Sequence, residues 1–111
     1  MPFTHQELDA RSLAMHRLVA EKLRRDPSLL EKAKATLARW RAGGDNSTRP
    51  YDEEWERALA EGLDATLRLA LGTSEHATAL RQCSPFAGIL TPDERTAFLK
   101  AWKPGPADKD E

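Results

Sequence analysis

The chain has 111 residues, 40% of them hydrophobic and only 6% aromatic, with 17 Lys and Arg set against 18 Asp and Glu. That length holds one domain with limited core depth, and the near-zero net charge argues against a generally basic nucleic-acid binder or a polyanion mimic. Ala, Leu, Arg and Glu dominate while Val19 and Ile89 are the only Val and Ile, a vocabulary of helices rather than strands.

Helix punctuation is legible along the chain. Thr4, Ser28 and Thr91 each stand three residues before a glutamate (Glu7, Glu31, Glu94), the spacing of a capping box, and Pro92 takes the first helical position after Thr91. The spacing predicts helices over 5–25, 28–42 (stopping at Gly43-Gly44), 52–71 (stopping at Gly72), 75–83 and 92–102. The expected fold is therefore all-α: a compact single-domain bundle of about five helices over 1–103, with a disordered tail over 104–111 that is rich in Pro, Gly and charge.

In the first helix Leu8, Ser12, Met15, Val19 and Leu23 share one face, flanked by Leu18 on one side and by His5 and His16 on the other. The second helix gathers Leu29, Leu30, Ala33, Leu37 and Trp40, with its basic residues spread around the rest. The third carries the broadest apolar arc, from Trp55 through Leu59, Leu63 and Leu67 to Ala70, and is expected to be central. Gly62 in the middle of that arc costs roughly 1 kcal/mol relative to Ala, for which close approach of a neighbouring helix is the plain reason. Its outer face pairs Glu53 with Arg57 and Asp64 with Arg68 at i,i+4 spacing.

Few residues suggest chemistry. His76 and Cys83 share a helix face but lie about 10 Å apart along the axis, too far for a nucleophile and its base. No spacing suggests a metal site or a cofactor, and Gly43-Gly44 lacks the Lys-Ser/Thr of a phosphate loop. A single cysteine, Cys83, excludes an internal disulfide and makes the cytoplasm the default. No signal-like start and no bilayer-length apolar run is present, so no membrane association is expected. The first 42 residues are basic, and Arg17, Arg24 and Arg25 lie near one side of the first helix, where they could track phosphates. Acidic residues Glu21, Asp26 and Glu31 interrupt them, so nucleic-acid binding is the alternative function rather than the leading one.

The segment Ser84-Pro-Phe-Ala-Gly-Ile-Leu90 is apolar yet unable to remain helical. It either closes the end of the bundle with Phe86 and Ile89 while Leu90 staples the last helix, or it offers those side chains to a partner. An exposed Phe86 or Trp102 beside Arg81 or Arg95 would form an apolar contact inside a charged rim.

The strings RSLAMHRLVAEKLRRDPSLLEKAKATLARW, PYDEEWERAL and SEHATALRQCSPFAGILTPDERTAFLKAW, spanning Arg11 to Trp102, resemble small bacterial all-helical proteins associated with toxin–antitoxin loci, on the antitoxin side. The resemblance implies a non-enzymatic protein that binds and neutralises, or otherwise regulates, a toxin partner. It transfers no catalytic residue. Neither a ribbon-helix-helix strand nor a separate DNA-binding domain is present, so it does not imply autorepression. The expected partner-binding residues are Arg81, Phe86, Ile89, Leu90, Arg95 and Trp102, with Trp40 as a further aromatic. Burial of a Trp-bearing face in a homodimer is compatible with so small a chain.

Overall fold

The computed structural model describes residues 4–43 and 49–103. Every regular element among them is helical: α1 His5–Arg25, a 3₁₀ turn Pro27–Leu29, α2 Leu30–Ala42, α3 Arg49–Glu61, α4 Leu63–Leu71, α5 Glu75–Gln82 and α6 Pro92–Ala101. The tail and most of the Gly-rich link expected after Gly43 lie outside the described residues.

Two of the three expected capping boxes form. The Thr4 hydroxyl accepts from the Glu7 amide at 3.1 Å and the Glu7 carboxylate accepts from the Thr4 amide at 2.9 Å; Thr91 and Glu94 repeat the arrangement at 3.1 and 2.7 Å. The Ser28 box does not form. Pro27 fixes a tight turn first, and Asp26 is its cap, with its carboxylate accepting from the Ser28 amide at 3.2 Å. Consequently α2 begins only at Leu30, and Leu29 ahead of it supplies no side-chain cap.

The long third helix is two helices. Gly62 adopts φ 123 and ψ −169, a region that essentially only glycine visits. Nothing lies within 4 Å of where a Cβ would stand, so close approach of another helix is not the reason for this glycine; the backbone break is. Fully buried Thr66 repairs the junction, its hydroxyl donating towards the carbonyls of Gly62 at 2.8 Å and Ala58 at 3.1 Å. Without it, those carbonyls at the helix end would have one donor fewer in a dry environment.

The kinked α3–α4 pair is the centre of the bundle, as its wide arc implied. α2 packs on α3, while α4 touches both α1 and α5, which also meet each other. Leu23, Leu37, Trp55, Leu59, Leu80 and Ile89 are the largest apolar side chains in full burial, each worth about 1.5–3 kcal/mol of transfer free energy. Trp55 also satisfies its indole N–H, which donates to the Leu80 carbonyl at 3.0 Å and locks α3 to α5. Where α4 ends, a Cβ on Gly72 would stand 2.8 Å from that of Ala77, so here a glycine does serve close approach. Among the α-helices of the described residues, α6 alone contains no buried residue.

Candidate functional site

The connection between α5 and α6 runs across the middle of α1, at Met15, His16 and Val19. The Cys83 and Ser84 amides donate back to Leu80 and Arg81, and a turn closes from the Ile89 amide to the Phe86 carbonyl at 3.0 Å. These local bonds satisfy backbone that proline and glycine keep from helix. Pro85, Phe86 and Ile89 point inward and are buried, whereas Ala87 and Gly88 are exposed and Leu90 is half-buried against the core.

Phe86 is held edge-on by two rings. Trp55 lies 5.2 Å away with the planes at 83°, and His16 lies 5.8 Å away at 73°, geometries that favour aromatic pairs. His16 is itself 7% exposed. Its Nδ1 is 2.7 Å from the Ser12 carbonyl and its Nε2 is 2.9 Å from the Ser84 hydroxyl. A carbonyl only accepts, so Nδ1 carries the proton; Nε2 of the neutral ring then accepts from Ser84. Burial pulls the His16 pKa below its ordinary value, partly offset by the Ser12 bond and reinforced by the positive charge of Arg81.

Arg81 is 5% exposed. Its guanidinium donates to the Gly72 carbonyl at 2.6 Å, the Ala70 carbonyl at 3.2 Å and the Thr78 hydroxyl at 3.3 Å, so its charge sits at the carboxyl end of α4 and suits that helix's dipole. The buried Nε has no hydrogen-bond partner.

Of the two readings of this connection, the buried one describes Phe86 and Ile89, and Arg81 lies inside with them rather than on a rim. They support the surface from beneath. Leu90 and Arg95 do reach a groove of about 370 Å³, walled by Met15 and Val19 of α1, by Ala87 and Leu90 of the connection, and by Arg81 and Arg95. Arg95 is exposed on the first turns of α6, Trp102 is half-buried at the end of that helix, and Phe98 and exposed Leu99 lie between them. Lys22 pairs with Glu94 and ties the start of α6 to α1. Trp40 stands apart on α2, 37% exposed.

His76 and Cys83 take separate partners. The His76 ring meets the Glu54 carboxylate at 2.7 Å and tilts against Tyr51, while burial, followed by the negative charge of Asp52, raises the Cys83 pKa. No group of three or more His, Cys, Asp or Glu that could hold a metal occurs among the described residues. Arg17, Arg24 and Arg25 are all exposed, but Arg24 shares a shallow depression with Asp64 and Arg68 of α4 rather than with the other two.

The site residues missed by sequence reasoning are His16 and Ser84. Helical periodicity put His16 at the edge of the apolar face of α1, which signalled proximity to the core. A partner 68 positions away carried no spacing signal. No family model, curated protein or solved structure matches the chain.

Proposed function

We propose that this protein is a cytoplasmic, non-enzymatic binding module that neutralises or regulates a partner protein, in the manner of an antitoxin. Its contact surface is the accessible part of residues 81–95 together with α6. The observation that carries this reading is that α6 buries no residue while it places Arg95 in the groove with Leu90 and exposed Leu99 one turn further along the same helix. A helix of 10 residues gains little from propensity alone and normally depends on packing. Here the capping box and the Lys22 pair hold its amino end, leaving exposed Leu99 for another surface. Supporting rings and a buried guanidinium make the groove beside it stiff, which lowers the ordering cost of binding.

The reading is tested by isolating the tagged protein from its own host, purifying the captured protein, and reconstituting the pair. Stoichiometric binding that Leu99→Asp weakens at least about tenfold, with an unchanged helical circular dichroism spectrum, supports it. Reconstitution that is indifferent to Leu99→Asp rejects it.

A second reading rests on the exposure of Arg17, Arg24 and Arg25, which supports contact between α1 and a polyanion. Nucleic-acid binding that falls steeply with salt and is reduced by Arg24→Ala with Arg25→Ala is its signature. No binding at low salt removes it.

A further inference from the structure

We infer that the groove between α1, the Cys83–Thr91 connection and α6 recognises a carboxylate side chain set within an apolar segment of the partner, an inference that rests on the binding reading above. The groove offers apolar wall from Met15, Val19 and Leu90 and two arginines, Arg81 and Arg95, that form no ion pair among the described residues.

Arg81 forms no ion pair among the described residues: its nitrogens face two carbonyls and one hydroxyl, and its Nε faces no acceptor. A buried guanidinium held by carbonyls, with Asp9 near but not paired to it, keeps part of its charge, and an anion brought close to it gains more than it would at an open surface. Arg95 on the rim is exposed and has no ion-pair partner among the described residues. Of the charges near Arg81, the Asp9 carboxylate weighs more than Arg17, without forming an ion pair with it. Glu94, the acidic side chain closest in sequence to Arg95, is engaged by Lys22.

Neutral His16 adds no charge of its own. Its Nε2 takes the proton of the Ser84 hydroxyl, so the positive charge in the groove comes from Arg81 and Arg95. A phosphate backbone would satisfy the charge but leave the apolar wall bare. A carboxylate flanked by aliphatic side chains satisfies both.

The test needs no captured partner. The isotope-labelled full chain is titrated with a short capped peptide in which leucine and glutamate alternate, with its leucine and lysine counterpart, and with a single-stranded oligonucleotide. The glutamate peptide is expected to shift the amide resonances of Ala87, Gly88, Leu90 and Arg95, the lysine peptide to leave them in place, and Arg95→Glu to weaken the glutamate peptide about tenfold or more. Equal binding of both peptides, binding of neither, an unaltered affinity in Arg95→Glu, or shifts at these positions from the oligonucleotide alone would each overturn the inference. A reconstituted partner that is lost with Leu99→Asp but indifferent to Arg95→Glu would likewise reject the carboxylate while leaving the binding module intact.

Discussion

The Nε2 atom of His16 and the hydroxyl of Ser84 lie 2.9 Å apart although 68 positions separate them. This bond fastens the α5–α6 connection to α1, and Phe86 packs against the same imidazole. Everything proposed for the groove depends on that connection keeping its place.

Acid should loosen it. The folded-state pKa of His16 is lowered, so the unfolded chain binds the proton more readily. The stability contributed by the neutral ring is complete above the unfolded value of about 6.5 and is lost as pH falls from there through the lowered folded value. Urea midpoints compared at about pH 7.5 and pH 5 should fall for the parent and fall less for His16→Gln, which cannot titrate. Equal falls would assign the acid sensitivity to other groups.

Gly62 is held by backbone conformation alone. Gly62→Ala and Gly62→Asn should each cost about 1–3 kcal/mol in chemical denaturation, because neither side chain tolerates φ 123 with ψ −169 even though space is free around the position. A neutral Gly62→Ala would show that the α3–α4 pair can straighten without loss.

Trp55 should be the most sensitive single side chain in the core. Truncation to Ala removes a fully buried ring, its edge-on contact with Phe86 and its bond to the Leu80 carbonyl, for about 3–5 kcal/mol. Trp55→Phe keeps much of the volume and should cost less. Fluorescence-monitored unfolding reports both, since Trp40 and Trp102 remain as probes.

The Cys83 thiol should react slowly. Burial, with the Asp52 charge behind it, keeps the thiol protonated at neutral pH. A disulfide reagent should modify Cys83 more slowly than a free cysteine in a short peptide, and Asp52→Asn should quicken the reaction. A rate equal to that of the free thiol would contradict the burial.

How much the sequence disclosed follows from the range of each interaction. The capping boxes at Thr4 and Thr91, the helix starts at 5 and 92, and the apolar arc through Trp55 and Leu67 are local patterns, and each could be read in the residues. The Ser28 box failed because Asp26-Pro27 set a competing local turn, a choice between two short-range patterns that spacing cannot decide. Gly62 could be read as costly, but whether a glycine serves space or φ is a three-dimensional distinction. The connection over 84–90 stood out by its mixture of apolar residues and breakers, and burial of Phe86 and Ile89 was one of its two readings; the choice between them was not local, because the inward set is selected by Trp55 and His16 from elsewhere in the chain. Arg81 shows the same limit: its charge suggested a rim, and its neighbours on α4 made it a buried helix cap.

If the groove and α6 face the partner, binding must shield their backbone. Hydrogen–deuterium exchange of the chain alone and with its reconstituted partner reads that shielding residue by residue. Slowed exchange concentrated in α6 and in the Ala87–Thr91 backbone is the predicted result; protection confined to α2 and α3, or to the arginine-bearing side of α1, with α6 exchanging as in the free chain, would contradict it.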